Sequence, residues 1–315
     1  MPIIETINLT RKYGDLIALD NLNLSIEAGS CYGFIGPNGA GKTTTIRILA
    51  TLLKPTWGEA RIDGLTVGYQ NALIRPIIGY VPDFIGTYDD MLVSEYLEFF
   101  AACYGIHGSN RRTVVGDALD LTDLTHKSSA QIAGLSRGMS QRLSIARVLL
   151  HDPQVLLMDE PAAGLDPRAR IEIRELLKEL SRIGKTILIS SHILSELAEL
   201  CDSVGILEHG KLKFSGSMQE ALHRAESGLE YEVIVEQRSK EAGTLLAALP
   251  GIAKVKLDRD GGSEILRLML DQNNPIEPSE IPARLVTAGF RLREFRRSRV
   301  DLEMAFMHLT KGIVG

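Results

Sequence analysis

The segment Gly36-Pro37-Asn38-Gly39-Ala40-Gly41-Lys42-Thr43-Thr44 fits the spacing G-x-x-x-x-G-K-[ST]. Residues of these types at this spacing bind phosphate. The glycines let backbone N–H groups turn inward around an anion, and a helix starting near Lys42 adds the positive end of its dipole. Lys42 would reach β- and γ-phosphates, and the Thr43 hydroxyl would ligate Mg²⁺. The bland alternative is an ordinary glycine-rich turn. The loop's place between an apolar strand and a helix argues against that. A second candidate is Val155-Leu156-Leu157-Met158-Asp159-Glu160. Four apolar residues deliver two adjacent carboxylates to the end of a buried parallel strand, where open α/β sheets bind ligands. Asp159 suits a Mg²⁺ ligand, and Glu160 suits the base or orienter of an attacking water. Alone, the pair reads as a charged strand end. Beside a phosphate loop it reads as the other half of a site.

These groups need elements to hold them. IIETINLTRKY and LIALDNLNLSIEAG alternate as β segments around Gly14-Asp15. CYGFIG is a short apolar strand entering the loop, and TTTIRILATLL is the helix leaving it. EARIDG and IIGYVPD read as a further strand pair. From Val93 to about Leu150, apolar residues recur at three- and four-residue spacing, the mark of helices. QVLLMDE and KTILISSH then flank the helix PRARIEIRELLKELSRIG. A helix ILSELAELCD and a strand pair, SVGILEHG and KLKFSG, follow. Beyond about Glu226 the order is βαββαβ, which suggests a small ferredoxin-like sandwich. Ser298 and Asp301 read as a capping box for a terminal helix, VDLEMAFMHLT.

Between the two candidates lies Leu135-Ser136-Arg137-Gly138-Met139-Ser140-Gln141-Arg142. It resembles the signature of the ATP-binding cassette (ABC) ATPases, usually LSGGQ. The order along the chain is similar to that family's as well: Tyr13, the phosphate loop, this signature, the Asp159-Glu160 strand, Gly164-Leu165-Asp166 and Ser191-His192. The resemblance spans about residues 1–225. It implies an α/β P-loop NTPase cassette with an antiparallel β subdomain, a RecA-like core and a helical subdomain at about 85–150. Residues 226–315 would form an accessory α+β domain. The resemblance also implies ATP, sandwiched between two cassettes head to tail, with Ser136 and Gly138 on the γ-phosphate held by the opposite loop. Asp166 would belong to a loop communicating across the dimer. His192 would contact the γ-phosphate and position the attacking water, completing a catalytic set with Lys42 and Glu160. Tyr13 would stack on adenine. Taken singly, His192 reads as a helix-start or core histidine, and Tyr13 as a plain strand aromatic. Two departures stand out. Asp83 follows Val81-Pro82 where the family has a glutamine that contacts Mg²⁺ or the lytic water; a carboxylate can hold a metal-bound water but is shorter and charged. Arg137 and Met139 replace the usual glycine and glutamine of the signature.

The 315 residues carry 40 acidic and 35 basic side chains, a formal net charge of -5. That balance gives no support for whole-chain affinity to nucleic acid or anionic lipid, and no nucleic-acid partner is expected. An apolar fraction of 44% and a charged fraction of 24% fit a globular chain. The mean hydropathy of +0.04 prompts a search for a membrane span. No stretch approaches the roughly 18–20 apolar residues that a bilayer requires. The first residues lack the apolar run of a signal peptide, and Cys31, Cys103 and Cys201 show no pairing pattern, so a soluble chain in a reducing compartment is expected.

One phosphate loop demands a second chain, either a copy or a paralogous ATPase, to complete a composite site. Transport would demand separate integral membrane permease subunits, with this chain peripheral on the cytoplasmic face. Residues Phe84 to Tyr88 and the helix Glu95 to Tyr104 are rich in aromatics where the resemblance puts the groove for that partner; Phe99, Phe100 and Tyr104 read equally as helical core. The ending from Arg299 to Thr310 resembles the closing helix of ATPases that serve drug, lipid or polysaccharide exporters. The basic run from Arg291 to Arg299 is interrupted by Glu294 and lies in a region of 13 basic and 14 acidic residues, so it reads as a solvated strand face. Two rival readings are a cassette ATPase acting on ribosomes or DNA, and a low-turnover ATP-binding regulatory module suggested by Asp83. The single cassette without sustained heptads or a basic footprint argues against the first.

Overall fold

Alternating and continuous apolar runs sort the strands into two kinds. β1 (Pro2–Tyr13) and β2 (Leu16–Glu27) form an antiparallel pair, and β2 alternates buried and exposed residues as a half-solvated strand does. β3 (Cys31–Ile35) is buried throughout and leads through the glycine-rich loop into α1 (Lys42–Leu49). β4 (Trp57–Ile62), β5 (Leu65–Thr66) and α2 (Asn71–Ile74) follow, then β6 (Ile78–Val81). Three helices come next: α3 (Val93–Cys103), α4 (Gly108–Leu121) and α5 (Arg137–Leu149). β7 (Val155–Asp159), α6 (Pro167–Arg182) and β8 (Thr186–Ser191) form a strand–helix–strand unit whose parallel strands are both fully buried. α7 (Leu194–Ala198), β9 (Ser203–Glu208), β10 (Lys211–Ser217) and α8 (Met218–Ala225) close this part. The computed structural model describes residues 2–83, 86, 88, 90–225, 230–260, 263–271 and 274–297. Phe84, the Ser298–Asp301 capping box, Arg299 and the closing helix lie outside the described residues.

Two sheets result. One is antiparallel in the order β2-β1-β4-β5. The other runs β10-β9-β3-β8-β7-β6, parallel except for the β10 edge. EARIDG and IIGYVPD therefore do not pair with each other. β4 joins β1 in the first sheet, whereas β6 joins β7 in the second. The physical difference is burial: β6 is almost wholly buried, while β4 begins with three exposed residues. α1 packs between the sheets, with Ile46 and Leu49 in one core with Leu9, Leu22, Phe34, Leu157 and Leu188. That packing fixes the start of α1 at the ends of β3 and β7. The helical segment has its own core of Tyr96, Leu97, Leu119 and Leu143. Phe100 packs against that core, whereas Phe99, Tyr104 and Tyr88 are exposed. Cys31 and Cys201 are buried free thiols 3.4 Å apart, and Cys103 is exposed at the end of α3.

The chain divides into two compact units, 1–221 and 222–315. In the second, β11 (Glu230–Val235), α9 (Ser239–Ala247), β12 (Ile252–Asp260), β13 (Ser263–Leu270), α10 (Glu280–Thr287) and β14 (Leu292–Arg297) build an antiparallel sheet in the order β12-β13-β11-β14. Counted within the unit this is 2-3-1-4, the ferredoxin-like order. Ala242 and Leu246 of α9 and Ile281 and Leu285 of α10 share one core with Val233, Leu266 and Leu268. The opposite face carries Glu232, whose carboxylate pairs with Arg296 at 2.7 Å and Arg267 at 3.5 Å. Arg296 of β14 thus has acidic partners on the sheet, Glu232 and Glu294, as a solvated strand face requires.

Candidate active site

Close approach makes the loop from Gly36 to Gly41 glycine-dependent at two points. A Cβ at Gly36 would lie 2.3 Å from the Leu207 carbonyl oxygen. Gly41 has φ +108, and a Cβ there would meet the Ala18 carbonyl at 2.7 Å. A larger residue at either point would push the loop off the sheet. Gly41 also caps α1 without a side chain, which leaves the first amides of the helix turned toward the loop. Such a nest of N–H groups binds an anion.

Lys42 is the first residue of α1, and its side chain is buried. Its Nζ donates to the Gly36 carbonyl at 2.6 Å and the Pro37 carbonyl at 3.4 Å, and stands 3.2 Å from Glu160 Oε1. Thr43 Oγ1 donates to Asp159 Oδ1 at 3.0 Å, joining the loop to the end of β7. Glu160, one residue beyond β7, has φ +50, a left-handed backbone uncommon for a side-chain-bearing residue. Its Oε2 lies 2.6 Å from His192 Nδ1. One carboxylate therefore spans the loop lysine and the histidine beyond β8.

A cleft of about 580 Å³ gathers most of the residues singled out in the sequence. Tyr13, residues 37–44, Asp83, Asp159, Glu160 and His192 line it. Gly36 lies behind, bonded through its carbonyl to Lys42. Arg11 holds its guanidinium 4.5 Å from the centre of the Tyr13 ring, a cation–π contact on one face. The sequence reading missed a polar residue lining the cleft and another buried behind it. Arg47, one helical turn after Thr43, lines the cleft and hydrogen-bonds Tyr80; burial raises the Tyr80 phenol above its ordinary value, against that bond. The i,i+4 spacing from Thr43 is the signal that could have found Arg47. The other is Ser190, whose hydroxyl donates to Asp159 Oδ1 at 2.8 Å. Its place depends on the pairing of β7 with β8, which no local pattern reveals.

Ser136, Gly138 and Asp166 do not line this cleft. Ser136 caps α5 and accepts from the Met139 amide, and Asp166 caps α6 and accepts from the Ala169 amide. Gly138 lets these two helix starts meet, since a Cβ there would lie 2.7 Å from Ala169 Cβ. Arg137 lies over Gly164 in the same way. The three residues thus gather where α5 and α6 begin, outside the lining of the phosphate-loop cleft.

Comparison with known proteins matches residues 19–163 to the ABC transporter family. The Nod factor export ATP-binding protein I of Burkholderia orbicola is 37% identical over 247 residues, covering 78% of this chain and 80% of that protein. The chain belongs to the ABC transporter family. The bacitracin transport ATP-binding protein BcrA of Bacillus licheniformis is 43% identical over 211 residues, covering 67% of this chain and 68% of that protein. A solved ABC cassette, dimeric in a post-hydrolysis state with ADP and Pi, superposes with a TM-score of 0.62 at 28% identity, covering 68% of this chain and 98% of that one. As an ABC ATPase the chain binds and hydrolyses ATP. Among the described residues no helix is long and apolar enough to cross a membrane.

Proposed function

We propose that this chain is the ATPase subunit of an ABC exporter, working as a head-to-tail dimer on separate integral membrane subunits at the cytoplasmic face. The observation that carries the catalytic part is the Glu160 carboxylate held between Lys42 and His192. The export part is supported by relatives named for export of Nod factor and transport of bacitracin.

Tyr13 would carry the adenine, and the loop amides with Lys42 the β- and γ-phosphates. Lys42 exchanges its two carbonyl partners for phosphate oxygens, since a lysine ammonium has three donors on a flexible stem. Glu160 would accept the proton of a water attacking the γ-phosphorus, and His192 would hold that carboxylate and the γ-phosphate in line. The hydroxyl of Thr43 and the carboxylate of Asp159, 3.0 Å apart, are hard oxygen donors of the kind Mg²⁺ takes alongside phosphate and water, with Asp83 on the same cleft. When bound, Mg²⁺ would offset charge on the phosphates. Ser136 and Gly138 would close the partner's site across the dimer, with Asp166 beside them.

The Glu160→Gln variant tests this reading, because it keeps the shape and removes the base. Hydrolysis should fall by at least about a hundredfold. ATP-bound dimers should accumulate on gel filtration, and the trapped chain should co-purify from detergent extracts with an integral membrane polypeptide. Undiminished hydrolysis would remove Glu160 from its role. Purely soluble partners would overturn the transport part.

A further inference from the structure

Ser190 lies fully buried in β8, directly opposite Asp159 of β7. Its hydroxyl makes two bonds that meet at the site. It donates to Asp159 Oδ1 at 2.8 Å and accepts from the backbone amide of Glu160 at 3.0 Å. The same Oδ1 also accepts from Thr43 at 3.0 Å. Two donors on one oxygen fix the direction of the carboxylate and leave Oδ2 for other work. The second bond matters as much. At Glu160 the chain leaves the ladder with φ +50, and such a conformation persists only where surrounding groups over-determine it. Without Ser190 that amide would be left without this partner in a part-buried place. Two residues further on, His192 holds the other end of Glu160, so one short stretch grips both its backbone and its carboxylate.

We propose that Ser190 is a positioning residue for hydrolysis. Its hydroxyl ties the Asp159 carboxylate to the Glu160 backbone, and so keeps the Glu160 carboxylate between Lys42 and His192. The inference rests on the reading of Glu160 as the base. Ser190 is buried outside the cleft lining, so it acts through the two acids.

The test uses the full chain with Ser190→Ala, Ser190→Thr and Glu160→Gln, alone and combined. Loss of a buried hydrogen bond to a charged group predicts a roughly ten- to hundredfold fall in kcat for Ser190→Ala. KM for ATP, and the affinity for a fluorescent ATP analogue measured without turnover, should change by less than about threefold. Ser190→Thr keeps the hydroxyl and should recover most of kcat. Added to Glu160→Gln, the Ser190→Ala change should cost little more, because residues acting as one unit are not additive. Unchanged kcat in Ser190→Ala beside an inactive Glu160→Gln overturns the positioning role alone. Equal losses in Ser190→Ala and Ser190→Thr, with lowered melting temperatures, overturn it in favour of packing. Full turnover in Glu160→Gln overturns both this inference and the base on which it rests.

Discussion

Tyr13 shows how far one residue's chemistry can be read from its type. The family resemblance gives the aromatic before the phosphate loop a stacking role, but the Arg11 guanidinium on one of its faces came only with the fold. With that face covered and the ring on the cleft, Tyr13→Ala should raise KM for ATP about three- to tenfold and leave kcat little changed. Tyr13→Phe should behave as the parent in the same steady-state assay. Equal KM values for all three would remove Tyr13 from the nucleotide. The loop itself was legible because its motif is contiguous in sequence, whereas the contacts with Leu207 and Ala18 that demand glycine at Gly36 and Gly41 came only with the fold. Ser190 and the reach of Glu160 to Lys42 and His192 were not legible, because they arise where strands distant in sequence come into register.

At the scale of elements, burial decided what periodicity left open. Both EARIDG and IIGYVPD look like strands, and only their surroundings assign them to different sheets. The joint between helices and sheet offers a measurable consequence. His151, just beyond α5, stacks on Tyr104 beyond α3 and bonds through Nε2 to the Ile78 carbonyl of β6 at 2.9 Å. Burial pushes its imidazole below the ordinary value near 6.5, with the Ile78 bond acting the other way. The unfolded chain therefore takes up the proton first as pH falls. The stability this neutral histidine contributes is whole above about pH 6.5 and is lost as pH falls toward its lower folded value. His151→Gln cannot titrate there, so its melting temperature should fall less than the parent's between about pH 7 and pH 5. Parallel curves for the two chains would show that His151 does not contribute.

At the scale of the molecule, a single chain carries two unlike groups of residues. One holds the phosphate loop, Asp159 and Glu160. The other holds Ser136, Gly138 and Asp166, where α5 and α6 begin. That one loop needs a second chain was legible from counting motifs, whereas the meeting of Gly138 with Ala169 came only with the fold. If the second chain is a copy, Lys42→Ala and Gly138→Asp variants should each be inactive alone and regain hydrolysis when mixed, because one site of the mixed dimer is then intact. No recovery on mixing would assign the second half-site to a different polypeptide. The α+β unit was legible as βαββαβ, and its sheet order follows from the two crossovers that this order imposes. The thiols have a practical outcome. Of three cysteines, Cys31 and Cys201 are buried and Cys103 alone is exposed, at the end of α3. A maleimide dye added to the unaltered chain should therefore label that one position, giving the helical segment a fluorescent reporter of its movement through each cycle of ATP without any engineered cysteine.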